Sequence, residues 1–534
     1  MMNAKKEKRI ISNILEKEKT PLVISLLEII IYKDKTIQEL KDENARLKKK
    51  PKRPKLRAST IGKIDKEANK KRNPNSNKRT TTKDIEIHDT IVLQPENIPE
   101  GSEFLMYRDF IVQDIKIKPY NIRYRRSVWK TPDGKIIRPK LPKHVKGHYG
   151  VELESHVMHL YHELHVTQPL ILGHLKEIGT KISAGKIDQM LTECKEIFHR
   201  EKEEILVEAL KFSPYVSADD TGLRHKGSNA YCTHLGNELF AYYKSTNSKT
   251  RINFIEILHG GSPVYCLNGY AIDYYRKQHL SKEKLSILER AKGKFFETES
   301  EWLLFFNRHL GIKDEFHLKK ATEGALIGGL FTKGINPSLV IISDDAGQFD
   351  ILWHGLCWAH SERVITSINC TSMEQFLLVA GILDDFWNLF RKLKEYKEYP
   401  VFESRKEIQE KFDEIFNFKT KFDSLNDSLQ LIGDKKQELL LVLDRPEIPL
   451  TNNISERDIR DQVKKRKISA GTLSETGRLS RDTFLSLKKT VKKLNTPFRK
   501  YYKDRKTEKN EIPPLVELMK LKAAEIWGLP PPTF

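Results

Sequence analysis

The chain has 534 residues, 38% of them hydrophobic and 31% charged, which is enough for several packed units and too much for a lone small binding module. Lys and Arg number 94 against 73 Asp and Glu, a formal net charge of +21, so the expected partner is a polyanion. Five cysteines without a CxxC pair speak against a disulfide framework, and nothing reads as a signal peptide or membrane span, so a cytoplasmic place and no membrane partner are expected.

In chain order, residues 22–50 read as a helix with a heptad seam through Leu26, Ile30, Ile37, Leu40 and Leu47. Asn44 falls inside the seam, as in coils whose register a polar residue fixes. Residues 1–50 are therefore expected to pair two chains, a single amphipathic helix on its own body being the alternative. Residues 51–80 carry 11 Lys/Arg against 2 Asp/Glu, and residues 457–510 carry 18 against 6, so these two segments hold the whole charge excess. The first reads as a basic linker, 51–85, able to contact phosphates.

Residues 86–142 alternate in strand fashion (Phe110, Val112, Ile115, Ile117, Ile122, Tyr124) with a turn at Pro132-Asp133-Gly134, predicting a small β-rich unit. From 143 to 205 the pattern is helical. One helix runs from Val151 to His165, a second opens at Thr167-Gln168-Pro169 and ends near Gly179, and Ser183 caps a third. The outline is that of a helix-turn-helix, with Lys186 and Gln189 on the candidate recognition helix, although any three-helix bundle gives the same outline. His156, His159, His162 and His165 recur every three residues. They drift around the helix without a partner to close a metal site, and read as a partly exposed polar face.

Candidate chemistry lies in three acidic positions. Pro214 to Thr221 runs from a half-apolar strand into Asp219 and Asp220, Tyr231 to Ser245 reads as a hairpin, and the apolar strand Ser338 to Ile342 leads into Asp344 and Asp345. Acids at strand ends stand where α/β sheets place their sites. Glu456 opens a strongly basic helix. Three carboxylates from separate segments suit Mg²⁺, which takes hard oxygen ligands and keeps waters. Each also has a plain structural reading: a turn before Gly222, a strand end, and a helix capping box of Asn453 with Glu456.

The wording around these acids closely resembles the insertion-sequence sixty-six family of DDE transposases. It comprises Ala218-Asp-Asp-Thr221, Ser343-Asp-Asp-Ala-Gly-Gln-Phe349, His354-Gly-Leu-Cys-Trp-Ala-His-Ser-Glu-Arg363, Asn452-Asn-Ile-Ser-Glu-Arg457, Arg466 to Gly477 and Phe484 to Thr490. The resemblance runs from about Lys143 to Tyr502. It implies that Asp219, Asp344 and Glu456 are the catalytic, metal-holding acids, with Asp220, His360, Arg363 and Asn453 as possible supports. It further implies a multidomain α/β protein whose ribonuclease-H-like core (206–364 and 448–495) carries a helical insertion (365–447), fitted by Phe386, Leu389, Phe390 and Leu393. A coiled coil, the β-rich unit and the helix-turn-helix-like bundle precede this core, and a basic tail (496–534) follows it. Many members of the family it resembles carry zinc-binding Cys pairs where 86–142 has none, so zinc is not expected.

The expected function is Mg²⁺-dependent cleavage at mobile-element ends and strand transfer into target DNA, using two ions, with Mn²⁺ as a substitute. Double-stranded DNA is the expected partner, contacted by Lys186, Gln189, Arg457, Arg460, Lys464, Arg466 and Lys467, in a bacterial, nucleoid-associated homodimer or larger assembly, with accessory proteins of the same element. Two alternatives stay open: a DNA-binding repressor or architectural protein that does not cut, and a metal-dependent nuclease that never joins.

Overall fold

The computed structural model describes residues 86–142, 145, 147–310 and 315–528, together with Lys33 and Thr36. Apart from those two positions, the expected coiled coil of 1–50 and the linker of 51–85 lie outside the described residues.

Five strands form the central sheet: β1 (Tyr215–His225), β2 (Ser228–Gly236), β3 (Ala241–Thr246), β4 (Val340–Ser343) and β5 (Trp353–Leu356). Their order is β3-β2-β1-β4-β5. The first three are antiparallel neighbours, and β1, β4 and β5 run parallel. β4 is buried throughout (Val340, Ile341, Ile342), as its unbroken apolar run requires of a strand covered on both faces. The β1–β4 ladder ends at Ser217 opposite Ile342. Asp219 and Asp344 therefore each lie two residues beyond the last pair, on neighbouring strands, at the same end of the sheet.

Helices cover both faces. Ahead of the sheet stand α1 (Val151–Met158), continued by a π-helical turn (His159–Glu163), α2 (Gln168–Glu177), α3 (Ala184–Thr192) and α4 (Glu196–Phe212). Ser183 Oγ accepts from the Lys186 amide at the start of α3. The histidine repeat departs from expectation, because His162 is buried against Phe484 and Tyr161. The π turn takes an extra residue per turn and so rotates His162 inward, off the stripe an α-helix would give it.

Between β3 and β4 lie five helices that the sequence reading left inside the sheet domain. The first is α5 (Arg251–Leu258) and the last α6 (Glu315–Thr332), with Gly269–Lys277, Lys282–Arg290 and Glu299–His309 between them. A Cβ at Gly328 of α6 would fall 2.0 Å from the Cys266 carbonyl oxygen, so only a bare backbone permits that packing. After β5 come α7 (Trp358–Thr366), α8 (Met373–Glu398), α9 (Phe402–Phe416) and α10 (Asp423–Gly433). The predicted apolar positions Phe386, Leu389, Phe390 and Leu393 are all buried there with Trp358 and Phe412, in a cluster that reaches Val340 and Ile342 of the sheet.

The described residues close with α11 (Asn453–Ser469), α12 (Glu475–Lys493), α13 (Phe498–Thr507) and α14 (Leu515–Trp527). α12 covers the outer edge of β3. Its Thr490 Oγ1, Ser486 Oγ and Asp482 Oδ2 accept from the amides of Ala241, Tyr243 and Ser245. One helix stripe at spacing four thus satisfies the alternate donors that an edge strand leaves open.

Two expectations are corrected here. Residues 86–142 are not a β-rich unit: only Trp129–Lys130 pairs with Ile136–Ile137 around the Thr131–Gly134 turn, and side chains such as Phe110 are 91% exposed. Alternation gives a segment two faces, but a strand also needs a neighbour's ladder and a layer to cover it, and the described residues supply neither. Residues 496–528 are not a tail, since Tyr501, Tyr502, Leu515 and Met519 are fully buried and Phe198 stacks on Tyr502. Four of the basic residues there are held by acids of the helical unit: Arg505 by Glu201, Lys506 by Glu154, and Arg499 and Lys503 by Glu152. Among the described residues no helix is long and apolar enough to cross a membrane.

Candidate active site

The site grows from the end of the sheet where β1 and β4 part. Asp219 is largely buried, and its carboxyl is pushed up to about 7 by that burial and next by the charge of Asp344, with Glu456 and Asp220 adding to it and the Asp220 amide opposing. Two acids from distant parts of the sequence and one chain neighbour thus act on one carboxylate. Asp344 Oδ1 accepts from the Ala346 amide at 3.2 Å. Asp220 faces other partners, Thr233 Oγ1 at 2.6 Å and Gln348 Nε2 at 2.7 Å. Burial raises Asp220 above the usual carboxylate range while these two bonds pull it back.

Glu456 enters from the first turn of α11. The capping box with Asn453 does not form: Asn452 is the N-cap, without a side-chain bond to the helix. The Glu456 carboxylate instead meets Arg363 Nη2, at 3.0 Å from Oε1 and 3.3 Å from Oε2. Arg363 Nη1 lies 3.2 Å from His360 Nε2, which is itself 4.0 Å from Glu456 Oε1. His360 and Arg363 sit three residues apart on α7, so they share a face.

Two residues that hold this arrangement were not singled out from the sequence. Buried Asn452 donates from Nδ2 to the Ala218 carbonyl at 2.8 Å, and its amide donates to Cys357 Sγ at 3.1 Å. It thereby ties the start of α11 to β1 beside Asp219 and to the end of β5. His234 stands opposite Asp219 in the β1–β2 register. Its Nδ1 is 2.5 Å from Ser455 Oγ, and its Nε2 is 3.4 Å from Asp458 Oδ2. Against the penalty of burial, the His234 hydrogen bond and the charge of Lys493 hold Asp458 far below the usual carboxylate range. Only the cross-strand register could have revealed His234, and periodicity does not give register.

The candidate DNA contacts divide. Arg457, Arg460, Lys464 and Lys467 are exposed and step by three, four and three along one face of α11. Arg466 is turned to the Gly222 carbonyl of β1. Lys186 and Gln189 meet each other on α3, 3.5 Å apart, and Lys186 also lies over the Tyr149 ring.

Among the described residues no three His, Cys, Asp or Glu side chains stand close enough to hold an ion as placed. The chemistry of Asp219, Asp344 and Glu456 nevertheless fits a hard divalent cation: all donors are carboxylate oxygens, and their mutual repulsion at Asp219 is what a cation relieves. That repulsion has a consequence for the metal-free protein. Asp219 ionises near pH 4 when unfolded and near 7 when folded, so the folded state keeps a proton that the unfolded state loses. Its contribution to stability is complete below pH 4 and is lost as pH rises to 7. Asp219→Asn should then melt higher than the native protein at pH 8 in chelator, by up to a few kcal/mol at about 1.4 kcal/mol per unit. The gap should close toward pH 4.5, and a gap equal at both pH values would remove this account of Asp219.

Residues 340–478, which carry Asp344, His360, Arg363 and Glu456, match the model of the Transposase IS66 family. A Sinorhizobium fredii protein, "Uncharacterized protein y4jO", is 35% identical over 313 residues, covering 58% of this chain and 98% of that protein. With a family match across the second acid and the glutamate, and similarity along nearly the whole of that relative, the chain belongs to the IS66 transposase family, whose work is transposition and whose members process DNA.

Proposed function

We propose that this protein cuts DNA at the ends of a mobile element and joins the freed 3′-hydroxyls to target DNA, with Asp219, Asp344 and Glu456 as the acids that hold its divalent ions. The observation that carries the reading is that Asp219 and Asp344 each stand two residues beyond the last β1–β4 pair, while Asn452 ties the start of α11, which bears Glu456, to the Ala218 carbonyl beside them. The strand order β3-β2-β1-β4-β5, with three antiparallel strands and then two parallel ones, supports a ribonuclease-H-like core. Bound Mg²⁺, or Mn²⁺ in its place, supplies stabilisation of the attacking and leaving oxygens of a phosphodiester. The chain positions its acids through Asn452 and His234. No protein nucleophile is needed, because water and then a DNA hydroxyl attack.

The exposed stripe Arg457, Arg460, Lys464 and Lys467 starts one residue after Glu456 and spans about 15 Å of helix, which suits a phosphate backbone led toward the acids. Changing all four to Gln should weaken binding about equally for every sequence and flatten the dependence of log affinity on log salt by roughly 3 to 4. An unchanged slope would remove the stripe from the interface. Further parts of the proposal are the helical unit α1–α4 as a DNA-reading element through Lys186 and Gln189, and residues 1–50 as the pairing helix of a dimer, with 51–85 as a basic linker.

The test is incubation with a DNA fragment carrying the flanks of the protein's own gene, labelled at the 3′ end, with Mg²⁺. Discrete metal-dependent cuts at the flank boundaries are expected. Specific binding without cutting, in Mg²⁺ and in Mn²⁺, would leave a DNA-binding protein instead.

A further inference from the structure

Resting on that reading, the contact between Arg363 and Glu456 carries a further step. Arg363 comes from a firmly seated helix: α7 begins at Trp358, which is fully buried and donates from Nε1 to the Leu439 carbonyl at 2.9 Å. Its guanidinium reaches both oxygens of Glu456, at 3.0 and 3.3 Å, with only 15% of the Arg363 side chain exposed. A guanidinium so placed and an incoming metal ion need the same carboxylate. The Nη1 contact to His360 at 3.2 Å keeps the group at the site if Glu456 leaves it. Buried Arg363 Nε has no hydrogen-bond partner among the described residues, so Glu456 and His360 leave the guanidinium incompletely satisfied, and its Nη1–Nη2 edge is the one that can pass to a phosphate.

We infer that Arg363 is a gate on metal loading: it occupies Glu456 until DNA arrives, then transfers to a backbone phosphate and frees the carboxylate for the ion. Metal and DNA thereby bind cooperatively, and the site is kept from loading, and from cutting, without its substrate. By linkage the coupling is reciprocal, so each ligand raises the affinity of the other by the same factor.

The experiment is Mn²⁺ binding to the full chain, read from the free-ion magnetic resonance signal, with and without element-end DNA. The matching Glu456→Gln protein, with the same DNA, serves as background for ions held elsewhere. The wild type should bind Mn²⁺ about tenfold more tightly once DNA is added. Arg363→Gln should bind about tenfold more tightly than wild type without DNA and gain little from DNA. Arg363→Lys, which keeps the charge but loses the fork, should fall between the two and decides the matter if the Gln variant does not fold. Arg363 variants that bind Mn²⁺ no more tightly than wild type, or that gain as much from DNA, overturn the gate while wild-type binding still upholds the acidic site. A wild type that holds no Mn²⁺ above background, with or without DNA, overturns the site reading and the gate together.

Discussion

Asp219→Ala, Asp344→Ala and Glu456→Gln should each lower strand cleavage on the order of a thousandfold or more, because each removes a hard oxygen donor from the centre that must stabilise both reacting oxygens. Measured in chelator, the DNA affinity of Asp219→Ala and Asp344→Ala should stay within about threefold, since neither is a phosphate contact. The result should be nearly the same whether one acid or two are changed, because groups acting as a unit are not additive. Asp220→Ala is the internal control. Asp220 is occupied by Thr233 and Gln348, so its loss should disturb local hydrogen bonding more than chemistry. A protein that cuts normally as Asp219→Ala and not at all as Asp220→Ala would reverse the choice within the pair.

Deleting residues 496–534 should leave no folded protein. The segment contributes Tyr501, Tyr502, Leu515 and Met519, each fully buried, and fully burying such side chains stabilises by about 1.5–3 kcal/mol apiece. Arg505 is also bonded to Glu201, Asp504 and the carbonyls of Ile512 and Pro513, and removing it strands the acid at Glu201. Against a total stability of about 5–15 kcal/mol, these losses exceed what a domain can absorb. Soluble yield and a thermal melt followed by circular dichroism check this. A truncated protein that melts at the native temperature and merely binds DNA less tightly would return the segment to the role of a basic tail.

Sequence carries some of these features locally and others only through the fold. The placement of Asp344 just past a strand and of Glu456 in the first turn of a helix is legible, because an unbroken apolar run and a sharply basic helix each mark an element boundary. Phe386, Leu389, Phe390 and Leu393 were legible because helical periodicity is local. His234 and Asn452 were not, since their importance is a pairing across β1–β2 and a contact over 234 positions to Ala218. The basic surplus of 457–510 misled in part. Composition counts charges without regard to burial, and Lys465, Arg481, Lys488 and Arg505 are buried, with Lys488 and Arg505 in ion pairs. The alternation of 86–142 misled for a related reason: pattern states how a strand would present itself, and only a partner makes the strand.

The central claim is that this site joins DNA as well as cutting it, and one measurement separates the readings. An element end already cut to expose its 3′-hydroxyl, labelled on that strand, is mixed with protein, Mg²⁺ and a supercoiled target plasmid. The account predicts that the label becomes covalently attached to plasmid DNA in the native protein and not in Asp344→Ala. Label that stays bound but never joins, or that is only shortened by hydrolysis while the plasmid remains unmodified, would contradict it.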